Sequence, residues 1–310
     1  MSIPETPLGV NYKQYTVRFA KARLAGVISA AGCAALKCSA AAPAGGQCPK
    51  EWDGGRKIAM LELYHYWDSV CSFKVRMCLA EKGLAWQSRH VDILAFEQTR
   101  PEYLKLNPNA VVPTLVHDGR PVIESTVINE YLDEVFPELP LRPADAHARA
   151  RMRVWVKYED DLIYPAIRIP SFNLMLRSIL TRRTDDEIDR MMATHPDPKR
   201  AENYKRTARQ PVDRAAVAEA TQKLATALDR LEGALAEGPW LAGDRISLAD
   251  IALAPMMDRL EFLAMAGLWD GRPRVRDWVA RLKARPSYVA AQPPAEHRVP
   301  GPVTRAAATG

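Results

Sequence analysis

Residues 64–76 read Tyr-His-Tyr-Trp-Asp-Ser-Val-Cys-Ser-Phe-Lys-Val-Arg, which places two hydroxyls and a thiol, Ser69, Cys71 and Ser72, within four positions. The apolar and aromatic run 61–67 predicts a strand, and a helical pattern follows it to Lys82, with Gly83 where a helix C-terminus favours glycine. The hydroxyls and the thiol therefore stand where a strand ends and a helix begins. The first N–H groups of a helix have no intrahelical partner and the dipole there favours negative charge, so this is a place where an anion or a thiolate is stabilised. Thiols so placed titrate below the free value of about 8.5.

In a redox site of the Cys-x-x-Cys type the two cysteines would occupy this turn. Here those positions hold Ser69 and Ser72, so an internal dithiol cycle is ruled out at that pair. A thiol borrowed from a ligand fits instead, with the Ser69 hydroxyl donating a hydrogen bond to the ligand's sulfur. The competing reading is that Ser69 is simply a helix N-cap. Cys71 has two readings as well, a reactive thiol or a small buried residue, whereas Cys78, two turns further on, reads as core.

The surrounding elements support a particular layer. Residues 86–93 form a second β-prone run, completing a βαβ unit. Residues 114–116 and 122–123 flank Asp118-Gly119, a dipeptide suited to a tight hairpin turn. Val127, Ile128, Tyr131, Leu132 and Val135 then recur at helical spacing. The order βαβ then ββα predicts an α/β, thioredoxin-like N-terminal domain over 60–137. No phosphate-binding glycine fingerprint follows the first strand, which removes the nucleotide-binding alternative. Pro137, Pro140 and Pro143 predict a linker over 138–145.

An all-helical C-terminal domain is expected over 146–290. Residues 152–162, 217–235, 248–263 and 275–282 have helical periodicity, and Leu224, Leu228, Leu231 and Leu235 form a stripe. Ser247 and Asp250 have the spacing of a capping box, with Ile246 and Ile251 placed as its hydrophobic staple. The charged stretch 182–214 reads as a helix plus a surface loop, and 291–310 as a flexible tail.

The chain has 310 residues and a formal charge of +6, but residues 1–57 alone carry eight Lys/Arg and three Asp/Glu, leaving +1 for the rest. Nucleic-acid binding by the main body is thus unsupported. Five cysteines without a spaced framework indicate thiols in a reducing, cytoplasmic setting, and the six scattered histidines give no metal site. No run of about 18 uncharged apolar residues is present to span a membrane. The Ala-rich stretch 19–44, with basic residues before it, has the outline of a secretory signal but a weak apolar centre. Residues 1–59 are therefore expected to be a disordered or non-native extension, with synthesis from Met60 as the sharper version of that reading.

The segment 69–76, together with Glu81-Lys82-Gly83-Leu84, Asn107-Pro108, residues 111–115, Glu124-Ser125 and residues 247–251, resembles the cytosolic glutathione transferases over roughly residues 60–290. The Ser-x-Cys-Ser turn is most similar to the zeta class, which includes maleylacetoacetate isomerases, and to bacterial tetrachlorohydroquinone reductive dehalogenases. The insertion at 182–214 is similar to those dehalogenases and to bacterial lignin β-etherases. Val70 departs from the zeta pattern, which has a second serine there.

The resemblance implies glutathione as co-substrate, no metal, a homodimer, and a small electrophilic, aromatic substrate in conjugation, reductive dehalogenation, ether cleavage or isomerisation. Residue by residue, it implies that Ser69 activates the glutathione thiol and that Cys71 can attack a glutathionyl intermediate. Val112 and Pro113 would form a cis-proline turn facing the peptide part of glutathione. Glu124 and Ser125 would receive its γ-glutamyl end, whose carboxylate suits the N-terminus of the following helix. Tyr158, Tyr164 and Arg168 are candidates for the substrate pocket or, equally, for core packing. The alternative function is a non-catalytic interaction module on the same architecture.

Overall fold

The computed structural model of the protein describes residues 60–298, so the expectations for 1–59 and 299–310 lie outside the described residues. Strands β1 (Leu61–His65), β2 (Gln87–His90), β3 (Thr114–His117) and β4 (Arg120–Ile123) form a sheet in the order β2-β1-β3-β4. β1 pairs in parallel with β2 and antiparallel with β3, which continues antiparallel into β4. Between β1 and β2 runs helix α1 (Val70–Glu81), and helix α2 (Ser125–Val135) follows β4. This is the expected βαβ-ββα order.

Local chemistry explains the connections. Gly83 takes a φ of 62° just past α1, where a Cβ would be strained. Asp118 and Gly119 have φ of 49° and 79°, the two positive values that a right-twisted two-residue hairpin needs. α2 buries Ser125, Ile128, Asn129, Leu132 and Asp133. Val127 and Val135, part of the expected apolar stripe, are exposed instead, because they lie outside that row.

The helical part begins at α3 (Ala146–Tyr158), whose first turn is capped by Asp145 accepting from the Ala148 N–H at 2.7 Å. The same run passes through a π-helical segment (Glu159–Ile163), then α4 (Tyr164–Pro170), then a second π-helical segment (Ser171–Leu176). Pro165 and Pro170 lack an N–H to donate to the preceding turn, and widened turns on either side absorb that gap. Helices α5 (Asp185–Met192), α6 (Pro198–Arg209), α7 (Arg214–Ala234), α8 (Leu248–Phe262), α9 (Pro273–Lys283) and α10 (Pro286–Ala291) follow, and single helical turns lie at Pro101–Leu104 and Arg177–Leu180.

The insertion at 182–214 is more ordered than a helix and a loop. Thr184 and Glu187 form a capping box that starts α5, and Asp197-Pro198 starts α6. Ile188, Met192 and Ala201 then join Leu176, Leu180 and Phe96 in a small separate core. Phe96 belongs to the loop after β2, so the insertion leans on the sheet-bearing part, where Arg183 also donates to the Leu94 carbonyl at 3.0 Å.

α1 packs against α2, α8 and α10, which is why Ser72 through Leu79 are all buried. A helix enclosed on all sides reads as apolar all round, and its two cations then need partners. The linker is fastened, not loose. Asp133 accepts from Lys82 Nζ at 2.8 Å, from the Leu141 N–H at 2.7 Å and from Arg142 Nε at 2.8 Å. In the capping box, Asp250 accepts from the N–H and hydroxyl of Ser247, both at 2.9 Å. It also accepts from the Leu241 N–H at 3.1 Å and Trp278 Nε1 at 2.9 Å, tying three segments to one buried carboxylate.

The start of the expected flexible tail is a correction. The Ala291 carbonyl accepts from Arg76 Nε at 2.9 Å and Gln292 donates to Asp258 at 2.8 Å. Further on, the His297 ring stacks on His90 with centroids 4.7 Å apart.

Candidate active site

The registers bring three turns to one end of the sheet. Tyr64 at the end of β1 pairs with Thr114 at the start of β3, which pairs with Ile123 at the end of β4. The β1–α1 turn, the turn before β3 and the turn into α2 therefore leave the sheet side by side. These are the segments holding Ser69 and Cys71, Val112 and Pro113, and Glu124 and Ser125.

Ser69 is the N-cap of α1, in extended conformation, and its Oγ accepts from the Ser72 N–H at 3.2 Å. A hydroxyl has one hydrogen to donate besides its lone pairs, so capping leaves that hydrogen available to a sulfur at the helix N-terminus. The capping and thiol-binding readings are compatible. Arg259 on α8 fixes the turn from the helical part, meeting the Asp68 carboxylate at 3.1 Å. Burial raises the Asp68 carboxyl above its ordinary range, and Arg259 opposes that rise.

Cys71 is half-buried and unpaired. Burial pushes its thiol up, not down: the Lys74 ammonium and the hydroxyls of Tyr164 and Ser125 favour the thiolate, while Glu159 opposes it, and burial prevails. The helix terminus alone does not make Cys71 a ready thiolate at neutral pH. Cys78 is fully buried and pushed up by burial as well, in keeping with core.

Behind Cys71 lies a pair that sequence reasoning missed. Lys74, in the middle of α1, is fully buried and donates to Glu159 Oε2 at 2.5 Å, with Asp160 Oδ1 at 3.6 Å. Glu159 opens the first π-helical segment, so this ion pair joins the sheet-bearing and helical parts directly beneath the site. Burial pushes the Glu159 carboxyl up to about 7 against the pull of Lys74, leaving it about half ionised at neutral pH. Burial works against the Lys74 ammonium too, but Glu159, Cys71 and Asp160 outweigh it and hold its pKa above the ordinary lysine value. The signal that was available is a lysine and an arginine, Lys74 and Arg76, inside an otherwise apolar helix.

The Val112-Pro113 bond is cis. Its neighbour is clamped, with the Val111 carbonyl accepting from Tyr103 Oη at 2.6 Å and from Asn107 Nδ2 at 2.9 Å. Neither Tyr103 nor Asn107 was assigned a role from sequence. Glu124 is exposed and held at a φ of 68°, a strained backbone for a residue with a Cβ, and its Oε1 accepts from Asn109 Nδ2 at 3.3 Å. Ser125 is buried at the start of α2, with its hydroxyl against the Cys71 thiol.

Of the substrate-pocket candidates, Tyr164 and Arg168 line one cavity of about 590 Å³ between α4 and α6. Tyr158 does not line it. Its ring lies against Trp155, with the Arg230 guanidinium 4.4 Å away over its face, and it packs on the main core. Six helical residues do not return to the same face, and the π-helical segment adds a further offset, so Tyr158 and Tyr164 point apart. Among the described residues no group of three or more His, Cys, Asp or Glu side chains is placed to hold a metal ion. No described helix is long and apolar enough to cross a membrane.

Known proteins are similar to this chain in sequence and fold. The family described as glutathione S-transferase, N-terminal domain, matches residues 68–135, and the corresponding C-terminal domain matches residues 214–281. The chain is similar to the protein LigF of Sphingobium sp., 33% identical over 73% of this chain and 91% of that one. The crystal structure of beta-etherase LigF superposes with a TM-score of 0.70, covering 75% of this chain and 98% of the other at 32% identity. Glutathione S-transferase Z2 of Arabidopsis thaliana is 34% identical over 64% of this chain and 76% of its own length. The tetrachloro-p-hydroquinone reductive dehalogenase of Sphingobium chlorophenolicum is 29% identical over 75% of this chain and 95% of its own length. With this site geometry on this architecture, the chain belongs to the glutathione S-transferase family.

Proposed function

We propose that the protein uses the thiolate of glutathione against a small electrophilic, aromatic substrate, displacing a leaving group at carbon. The observation that carries this is the convergence of the Ser69 turn, the cis Val112-Pro113 turn and the Glu124-Ser125 turn at one end of the sheet. Ser69 would donate to the thiolate sulfur and the α1 terminus would favour its charge. The backbone of Val112 would pair with the peptide of glutathione, and Glu124 with its ammonium group. The first N–H groups of α2 would take the γ-glutamyl carboxylate. Catalysis then consists of a raised thiolate fraction and of holding the electrophile beside the sulfur.

Because burial raises the Cys71 thiol, the reading gives Ser69 the primary role and leaves disulfide exchange at Cys71 as a secondary step. Displacement of an aryl ether or aryl halide thus ranks ahead of reductive dehalogenation, in line with the similarity to the beta-etherase LigF. The same reading places the protein in the cytoplasm as a homodimer. In support, Cys71 and Cys78 are unpaired, and the adjacent helices α2 and α3 expose Val127 and Val154.

A thermal melt with millimolar glutathione tests the site. Ligand at a hundred times its dissociation constant adds about 2.7 kcal/mol. For a protein of this size that is a rise of roughly 5–10 °C, which Glu124→Gln and Ser125→Ala should reduce. An unchanged melting temperature would overturn the proposal and favour the non-catalytic interaction module.

A further inference from the structure

We propose that the cavity between α4 and α6 selects an electrophile bearing an anionic group, a carboxylate or its equivalent on an aromatic frame, with Arg168 as the group that reads it. The inference rests on the glutathione-dependent reading above and goes on to name the substrate's charge.

Tyr164, whose hydroxyl interacts with the Cys71 thiol, lines the cavity together with Arg168 and Ile169 of α4 and Phe172 beyond it. Five cationic side chains line it, Arg168 and Arg177 from the α4 side and Lys199, Arg200 and Arg206 from α6, against two carboxylates. Both carboxylates are engaged by backbone, and Asp197 is also paired with the Arg200 guanidinium at 3.3 Å. Asp197 accepts from the N–H groups of Lys199 and Arg200 at 2.9 and 3.1 Å, and Asp213 accepts from that of Ala216 at 2.9 Å. Arg177 and Arg206 donate to neutral oxygens, the Gln210 carbonyl at 2.8 Å and Asn203 Oδ1 at 2.9 Å.

Arg168 differs from these. It is half-buried, and among the described residues no carboxylate lies within ion-pair distance of it. Its guanidinium rests 4.8 Å from the centre of the Phe172 ring, one turn along from Tyr164. A partly desolvated guanidinium without a counter-ion is poorly compensated, and its planar fork is suited to holding a carboxylate in two parallel hydrogen bonds. Phe172 and Tyr164 supply flat apolar surface for the ring between that carboxylate and the sulfur. The insertion at 182–214 acquires a purpose from this, because it contributes α6 and with it three of the five cations.

The test uses two ligands of the full chain that differ in one group, S-(4-carboxybenzyl)glutathione and S-(4-carbamoylbenzyl)glutathione, with binding measured by calorimetry. The wild type should hold the carboxylate about tenfold tighter, as expected for a charge-assisted pair against a neutral one. Arg168→Gln should bring the two within about twofold of each other by weakening only the carboxylate, and added salt should narrow the wild-type preference. Equal binding of both ligands by the wild type overturns the proposal while leaving the glutathione site intact. Equal weakening of both by Arg168→Gln also overturns it, because Arg168 would then serve glutathione itself. Failure of both ligands to bind the wild type removes the glutathione reading and this inference with it.

Discussion

Replacing Lys74 by methionine should destabilise the protein in a pH-dependent way. The side chain is fully buried, and its ammonium sits 2.5 Å from a carboxylate that has no exposure of its own. Methionine keeps most of the volume, so the change is one of charge. Losing a charged hydrogen bond costs about 1.5–3 kcal/mol at any pH. The pH-dependent part follows from Glu159, whose pKa is about 7 with Lys74 beside it and rises further without it. A carboxyl with a raised folded pKa loses stability as pH rises from its unfolded value to its folded one. Below pH 7 Glu159 is protonated with or without Lys74, so the two proteins part company only above that pH. Each further pH unit adds about 1.4 kcal/mol to the difference until the variant's own pKa is reached, or about 2 kcal/mol by pH 8.5. The total, about 3.5–5 kcal/mol at pH 8.5, agrees with the cost of stranding one member of a buried pair and corresponds to roughly 7–20 °C in melting temperature. Lys74→Met combined with Glu159→Met should recover most of it. Urea unfolding at pH 6 and pH 8.5 reads both parts; a loss under about 1 kcal/mol at pH 8.5, or the same loss at both pH values, refutes the reasoning.

Three other outcomes follow from the same physical picture. His65 is buried, accepts from Arg76 at 3.3 Å through Nδ1 and meets Ser88 Oγ at 2.8 Å through Nε2. Burial, with Arg76, His90 and His297, lowers its pKa to about 3. Its neutral form contributes stability that is lost as pH falls below 6.5, about 2 kcal/mol by pH 5, and His65→Gln should flatten that part of a pH–stability curve measured by urea. Asp250→Ala should cost about 3 kcal/mol or more in the same assay, since it strands the Leu241 N–H, the Ser247 N–H and the Trp278 indole in the core. Cys71 should react slowly with iodoacetamide at pH 7 and faster only above its ordinary pKa, and Cys71→Ser should leave glutathione-dependent conversion within about twofold; rapid labelling at neutral pH would contradict the effect of burial.

The parts legible in the sequence were those set by local rules. Asp118-Gly119 announced a hairpin because only a few dipeptides accept two positive φ values, and Ser247 with Asp250 announced a helix start because a capping box is a four-residue device. The Ser69 turn followed from a strand-to-helix transition with hydroxyls at it. Contacts that depend on which helix face meets another chain segment were not legible. Lys74 and Glu159 are 85 positions apart, and their meeting depends on a π-helical segment that no periodicity announces. Tyr158 and Tyr164 are both pocket candidates in the sequence, yet the same segment turns one toward Arg230 and the other toward Cys71. The insertion at 182–214 looked loose because its helices are highly charged, although Ile188, Met192 and Ala201 suffice to seat it on Phe96.

Glutathione bound at Ser69 should be ionised more readily than free glutathione. Ultraviolet titration of the thiolate of bound glutathione, in the wild type and in Ser69→Ala, measures this ionisation. A bound thiol titrating at least one unit below free glutathione in the wild type, and returning most of the way in the variant, is the predicted result. A bound thiol that titrates at its free value in both proteins would contradict the assignment of Ser69 and the α1 terminus as the groups that hold the thiolate.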